Sequence, residues 1–242
     1  MLVAVISDVH SNLAALEAVL AAVDELGADE IWCLGDLVGY GPQPDACVGL
    51  VSDRSAVCLA GNHDLVVSGA ISSSVFAHDA AAADAWTRKT ITPQTRAVLE
   101  RLEPAGARHG VELYHASIRD PVWEYVIDDR TAMACIELQS SHLALIGHSH
   151  VALVYGHEDD RFLAGTTPAD TTLELRAGPY LLNPGSVGQP RDGDPRAAYL
   201  LLDLDVPRAV WKRVEYDIER TRREIEEAGL PARLGTRLYE GR

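Results

Sequence analysis

The chain lacks the features that mark several common protein classes. It has four cysteines, Cys33, Cys47, Cys58 and Cys135, and no two of them form a CxxC pair. That excludes a disulfide framework and a zinc ribbon, and it points to a reducing, cytoplasmic setting. Cys33 and Cys58 lie inside apolar runs and read as small buried hydrophobes. No apolar run approaches the length of a membrane span, so no membrane partner is expected. The opening MLVAVISDVH is apolar for only six residues and has no basic region ahead of them, so it reads as a first strand rather than a secretory signal. No solenoid-type repeat and no low-complexity linker interrupts the sequence. Basic residues are scarce: 21 Lys and Arg against 36 Asp and Glu give a formal net charge of −15. Such a surface repels nucleic acid at long range, and no stable nucleic-acid binding is expected. A small phosphorylated substrate is still allowed, because bound divalent cations reverse the local field.

What is present suits one large α/β unit. The 242 residues are 47% hydrophobic, enough for a sizeable core. LVAVIS (2–7), EIWCLG (30–35) and AVCLAG (56–61) are predicted strands. Between the first two, Asn12 caps a helix that presents Leu13, Leu16, Leu20, Val23 and Leu26 on one face and stops at Gly27. Residues 42–53 form a second helix. This βαβαβ pattern predicts parallel strands with right-handed crossovers. Residues 73–103 read as two helices divided near Thr92-Pro93, followed by strands at 111–115 and 142–147. VALVYG, RFLAG, TTLELRAG, YLLNPG, AAYLLLDLDV and RAVWKRVEY then predict an antiparallel meander. A solvated helix, IERTRREIEEAG, closes the pattern. No domain boundary stands out, so residues 1–242 read as a single domain with mixed sheets.

Each strand in the first 150 residues runs into polar residues suited to metal ligation. LVAVIS leads to Asp8-Val9-His10, EIWCLG to Asp36, and AVCLAG to Asn62-His63-Asp64. VELY leads to His115, and LALIG to His148-Ser149-His150. Ligands of open α/β sheets bind beyond the carboxyl ends of the strands, so five strand ends would deliver these groups to one place. Asp8, His10, Asp36, Asn62, His115, His148 and His150 amount to two carboxylates, one amide oxygen and four imidazoles. That is too many for one tetrahedral ion and suits two ions sharing a carboxylate. Mixed nitrogen and oxygen donors without thiolate suit transition metals better than magnesium or calcium. Two such ions roughly 3.5–4 Å apart are a known device for phosphoester hydrolysis. Singly, DxH or GD after a strand is more often a turn or helix cap, and a lone His115 more often structural. In GNHD the histidine has no turn role. The spacing of His148 and His150, read as i and i+2 of an extended strand, allows both one ion and two neighbouring ions. Gly147 would let the backbone approach them closely.

DVH, GDLVGYGP, GNHD, His115, GHSH and the later NPGSVGQPRDG resemble the calcineurin-like metallophosphoesterase superfamily, in particular its small bacterial phosphodiesterase-type members. The likeness runs from Met1 to about Tyr199. It implies a four-layer αββα sandwich of two mixed β-sheets flanked by helices, with a helical cap-like insertion at about 70–104. It further implies two divalent transition-metal ions, manganese first among Mn, Fe, Zn, Ni and Co. Asp8, His10, Asp36 and His150 would hold one ion. Asp36, Asn62, His115 and His148 would hold the other, with Asp36 bridging. Hydrolysis of a small phosphodiester would follow, by attack of a hydroxide bridging the metals. His63 would be the general acid beside the leaving oxygen, and Asp64 a catalytic residue orienting it, unless Asp64 is only a helix cap. Asn62, Arg119 and Arg191 are the candidates to touch substrate phosphate. Trp123 and Tyr125 are candidates to stack on a base or an aromatic leaving group, beside the plainer reading of ordinary packing. His78, His109, His142 and His157 carry no motif and read as solvated or structural.

There are departures from the family pattern. Ala116 follows His115 where Gly is usual, and Ser149 replaces a common Thr. The protein phosphatase branch has GDxVDRG, whereas Gly39 and Tyr40 stand in this stretch. A phosphate-binding Arg and a carboxylate partner for the catalytic histidine are therefore missing from that place, which argues against a dedicated protein phosphatase. Phosphomonoester cleavage and a non-catalytic scaffold are the alternatives, and a homo-oligomer is compatible with the sequence.

Overall fold

The computed structural model describes residues 1–74, 76–158 and 161–242. Two six-stranded mixed sheets pack face to face between helices. The first contains β1 (Leu2–Ile6), β2 (Glu30–Cys33), β3 (Val57–Cys58), β9 (Thr172–Glu174), β11 (Ala197–Asp203) and β12 (Arg208–Val214), in the order β3-β2-β1-β11-β12-β9. The second contains β4 (Ala105–Arg108), β5 (Val111–Tyr114), β6 (Leu143–Leu145), β7 (Ala152–Glu158), β8 (Arg161–Thr166) and β10 (Tyr180–Pro184), in the order β4-β5-β6-β10-β7-β8. The helices are α1 (Leu13–Leu26), α2 (Pro44–Arg54), α3 (Asn62–Ser68), α4 (His78–Thr90), α5 (Pro93–Leu99), α6 (Asp129–Ile136), α7 (Ile218–Glu227) and α8 (Ala232–Thr236), with a final 3-10 turn at Arg237–Glu240. No helix among the described residues is long and apolar enough to cross a membrane.

Alternation along each strand assigns the layers. On β1, Ala4 and Ile6 join α1 and α2 side chains such as Leu16, Val19, Val48 and Val51. Val3 and Val5 point the other way, into a core shared by both sheets with Trp32, Leu113, Leu145, Leu182, Leu200 and Trp211. Because both faces of β1 are buried, its sequence is a continuous apolar run rather than an alternating one. The outer face of the second sheet packs on α6 through Ala132, Cys135 and Ile136 against Ala144, Ile146 and Leu181. Helix, sheet, sheet and helix make four layers.

Local signals act as their chemistry dictates. The Asn12 Oδ1 accepts from the Ala15 N–H at 3.2 Å, and Gly27 ends α1 in the left-handed region at φ 67°. Thr92 caps α5, with Pro93 as its first residue. The predicted antiparallel meander is corrected. Its six runs are shared between the two sheets, β7, β8 and β10 in the second and β9, β11 and β12 in the first, and β10 pairs in parallel with β6 as well as antiparallel with β7. Period-two patterning shows that a segment is a strand but not which strand it pairs with. Four short elements, α3, β4, α6 and α8, were not expected. Two of these carry a start signal: the Asp128 side chain accepts from the Thr131 N–H at 2.9 Å at the start of α6, and Asp64, third in α3, accepts from the Gly61 N–H at 2.8 Å.

Leu200 is fully buried between the sheets. Leu200→Ala is expected to lower stability by about 2–5 kcal/mol in chemical denaturation, because the surrounding strands relax only partly into the space left.

Candidate metal centre

All seven sequence-predicted ligands come together, and they come from both sheets. β1, β2 and β3 lead to Asp8 and His10, Asp36 and Asn62; β5 and β6 lead to His115, His148 and His150. Their donor atoms form two tight groups that share Asp36. Asp8, His10, Asp36 and His150 have donor atoms within 4.8 Å of one another, as do Asp36, His115 and His148. The Asp36 Oδ2 lies 3.5 Å from the His10 Nε2 and 3.5 Å from the His115 Nε2, so one carboxylate faces both groups. Asn62 joins the second group through its Oδ1, 3.1 Å from the His115 Nε2.

The backbone is bent sharply to achieve this. Asp8, His10, Ser11, Asp36, Tyr40, His148 and His150 all have φ between 49° and 62°. Left-handed conformation is unfavourable for such residues and is kept only where surrounding contacts impose it. The extended geometry expected for His148 and His150 is therefore corrected: β6 ends at Leu145, and both histidines are left-handed. Gly147 admits a close approach, since a Cβ there would lie 2.1 Å from the Ser7 Oγ. The bends are braced by the NPGSVGQ segment. The Asn183 Nδ2 donates to the Gly147 carbonyl at 2.7 Å, and the Ser186 hydroxyl and Gly188 N–H donate to the Asp8 carbonyl at 2.8 and 2.9 Å.

Hydrogen bonding fixes which nitrogen of each histidine faces inward. The His10 Nδ1 donates to the Val38 carbonyl at 2.9 Å, the His115 Nδ1 to Leu34 at 2.9 Å, and the His150 Nδ1 to Gln189 at 2.6 Å. A neutral imidazole has one N–H, so in each the Nε2 presents a lone pair. The consequence is a set of acceptors facing acceptors. The His10 and His150 Nε2 atoms are 3.0 Å apart, and the His115 Nε2 faces the Asn62 Oδ1. The His148 Nε2 and Asp8 Oδ1 are buried with no hydrogen-bond partner. Converging lone pairs without a proton between them fit a cation, and the backbone-bound Nδ1 atoms are the outer support that metal-binding imidazoles need.

The neighbouring predicted residues divide. The His63 Nδ1 donates to Asp84 on α4, at 2.8 Å to Oδ1 and 3.1 Å to Oδ2. Asp84, not Asp64, thus orients His63. Asp64 is occupied elsewhere, accepting from the N–H groups of Gly61, Leu37 and Val38 at 2.8, 3.2 and 3.1 Å. It is the third residue of α3 and ties the Asp36 and Asn62 loops together. Gly39 makes room for the pair: a Cβ there would lie 2.5 Å from the His63 Nδ1 and 3.0 Å from the Asp84 Oδ1. A cavity of about 380 Å³ opens over the centre, lined by Asp36, Asn62, His63, His148 and His150. Arg191 also lines it, whereas Arg119 is paired with Glu124 and is not among the residues that line it. Phe76 stacks on His63 at 4.5 Å between ring centroids, and Tyr125 on His148 at 4.1 Å. Sequence reading did not find Asp84, Phe76 or Arg237, which also lines the cavity. A buried acid in the Ala-rich helix was the only available hint, for Asp84. The four histidines set aside lie elsewhere: His78 is exposed and His109, His142 and His157 contact Trp32, Tyr180 and Phe162.

Burial shapes the titration of this cluster. It pushes Asp8 up to about 7, and it raises Asp36 well above the carboxylate range, aided by Asp64 and Asp8 nearby. Burial also holds His10, His148 and His150 well below the usual imidazole value and His115 at about 3. Near neutral pH the imidazoles are free bases, while burial favours the protonated form of Asp36 and, below about pH 7, of Asp8 in the metal-free protein. A divalent cation must displace those protons. Metal uptake at about pH 6 is therefore expected to release more protons than at about pH 8, with affinity falling as pH drops below about 7. Calorimetric titration in buffers of different ionisation enthalpy measures this; equal proton release at both pH values would contradict it.

A profile of the calcineurin-like phosphoesterase superfamily domain matches residues 1–206. The chain is 38% identical, over an alignment of 247 residues, to an uncharacterized protein of Methanocaldococcus jannaschii, covering 100% of this chain and 98% of that protein. A crystal structure of a metallophosphoesterase from Sphaerobacter thermophilus is 40% identical, with each chain covered fully and a TM-score of 0.90. A hypothetical protein from Pyrococcus horikoshii shares the fold at a TM-score of 0.81 and 19% identity, covering 100% of this chain and 98% of its own. Two mixed sheets between helices, clustered imidazoles and carboxylates at their strand ends, and a profile match over most of the sequence have one common account: the chain belongs to the calcineurin-like phosphoesterase superfamily.

Proposed function

We propose that this protein is a dinuclear-metal phosphoesterase that hydrolyses a phosphodiester bond in a small substrate. Its family makes it a phosphoric ester hydrolase. The observation that carries the finer reading is the meeting of four inward Nε2 atoms, three of them fixed as lone pairs by their Nδ1 hydrogen bonds, with Asp8 and Asp36, in two groups that share Asp36. Asp8, His10, Asp36 and His150 would hold one ion, and Asp36, Asn62, His115 and His148 the other. Two divalent ions, with manganese our first choice, would supply Lewis-acid polarisation of the phosphoryl oxygens and an acidified water.

The chain's own residues supply the rest. Asn62 lines the cavity and can donate its amide N–H to a phosphoryl oxygen. His63, held by Asp84 through Nδ1, has its Nε2 free to carry a transferable proton. As the water oxygen bonds to phosphorus and releases one proton to solvent, the phosphorus–oxygen bond to one arm breaks, and that oxygen leaves with the proton from the His63 Nε2, which solvent then restores. Arg191 binds non-bridging oxygens; its Nη2 rests on the Gln189 Oε1 at 2.8 Å. Phe76, Trp123 and Tyr125 give the cavity an aromatic lining for one arm of a diester. Residues 70–104, with α4 and α5, act as the cap that brings Asp84 in. The free cysteines suit a cytoplasmic protein.

The test is hydrolysis of bis(p-nitrophenyl) phosphate and p-nitrophenyl phosphate in parallel by manganese-loaded protein. Faster turnover of the diester is expected. Preference for the monoester would overturn the diester assignment, and no turnover with two metals bound would overturn the enzyme reading. His63→Ala is expected to keep its metals yet lose about 10²–10⁴-fold of kcat on a diester with a nucleoside leaving group, and far less on one with p-nitrophenolate. Asp84→Asn should act in the same direction. Asp36→Asn should lower metal content at both positions by elemental analysis; two metals per chain would show that it does not bridge.

A further inference from the structure

The cavity over the centre does not end at the metals' side chains. A second cleft of about 560 Å³ adjoins it, and the two share Tyr40, Ala77, Ala80 and Arg237. The outer cleft is lined by Arg233, Arg237 and Arg242, together with Asp79 and Glu240. Glu240 faces the Arg242 Nη1 at 3.4 Å, and Asp79 lies 3.3 Å from the Nδ1 of the exposed His78. Arg233 and Arg237 have no Asp or Glu carboxylate within ion-pairing distance among the described residues. The Arg237 Nε donates to the backbone oxygen of Arg242, which leaves both terminal nitrogens without a protein partner among the described residues. Arg191, at the inner end, is also held only by neutral groups, the Gln189 Oε1 and the Tyr40 hydroxyl at 3.4 Å. Burial and the charges of Arg191 and Arg233 lower the pKa of Arg237 from its ordinary value, against a smaller opposing effect of Asp79.

The segment that carries Arg237 is fixed to the site. Leu230, Leu234 and Leu238 form one apolar cluster with Ile225 of α7, with Ala83 and Trp86 of α4, and with Tyr40. Ala83 adjoins Asp84, the partner of His63. The same packing therefore sets the position of α4 and of the arginines. This segment lies beyond residues 1–206, the extent of the profile match. Arg191 and Arg237 are both half buried, and guanidiniums left there without an Asp or Glu partner carry a desolvation cost that a bound anion offsets. The planar guanidinium fork matches phosphate, and a terminal phosphate carries about −1.5 to −2 charges, more than one carboxylate brings.

We propose that Arg237, with Arg191 on the inner side and Arg233 on the outer, forms a second anion subsite, and that the substrate is a phosphodiester bearing a further phosphate on one arm. This deepens the phosphoesterase reading above and rests on it.

The experiment uses manganese-loaded protein and a dinucleoside monophosphate with or without a 5′-terminal phosphate. The wild type is expected to favour the phosphorylated form in kcat/KM by roughly tenfold or more. Arg237→Ala should remove most of that preference and Arg237→Lys only part of it. Arg233→Ala, at an exposed position, should reduce the preference less and guards against misfolding of the first variant. Arg54→Ala, remote on α2, should leave it intact. Calorimetric binding of the phosphorothioate analogues reads the same ratio without turnover. Equal ratios in wild type and Arg237→Ala, by rate and by binding, would overturn the subsite while leaving hydrolysis standing. A binding preference lost in Arg237→Ala, with no turnover of any diester, would support the subsite and sink the reading of the centre as a diesterase.

Discussion

The structure depends on a volume of converging lone pairs. Four imidazole nitrogens, an amide oxygen and the carboxyl groups of Asp8 and Asp36 meet at buried positions, and the Nε2 atoms of His10, His115 and His150 face other acceptors. In isolation this is an unfavourable packing of acceptors, because each buried acceptor without a donor costs free energy. A cation turns every one of those contacts favourable at once. Burial raises the acids and lowers the imidazoles, which describes the same conflict in terms of protons.

Much of the surrounding chain serves to hold that conflict in place. Each of the left-handed residues around the centre carries about 1–3 kcal/mol of backbone cost, which has to be met by contacts elsewhere. The contacts are visible. Backbone carbonyls at Leu34, Val38 and Gln189 bind the outward Nδ1 atoms, Asp64 gathers three amides, and Asn183 and Ser186 brace the GHSH and DVH bends. Few of these groups face the cavity, yet each fixes the direction of one that does. The two sheets are coupled here too, since the His148 N–H donates to the Asp8 Oδ2 at 3.1 Å.

The carboxylate beside His63 shows how a family site can be kept while its sequence changes. Gly39 and Tyr40 occupy the stretch where the phosphatase branch has its acid. Here the acid arrives from α4, and the missing side chain at Gly39 leaves the space in which Asp84 reaches His63. Tyr40 turns to the other wall, under Arg191, with its ring 5.7 Å from the guanidinium carbon. The C-terminal helices then pack on α4 and Tyr40, so a change in one wall of the cavity is felt in the others.

The sequence by itself determined the first sheet's parallel core, the cap of α1, the break before α5, and the seven residues that meet at the centre. It did so because these depend on local rules: an apolar run makes a strand, and a polar residue at its end lies at the sheet's carboxyl edge. Only the tertiary structure decided how the later strands divide between two sheets, since alternation shows a face and not a partner. It alone decided that His148 and His150 sit on a left-handed bend, that Asp84 rather than Asp64 holds His63, and that Arg237 reaches the cavity. Those residues are separated from their partners by long stretches of chain, and only the packing of α4 and the final helices brings them together.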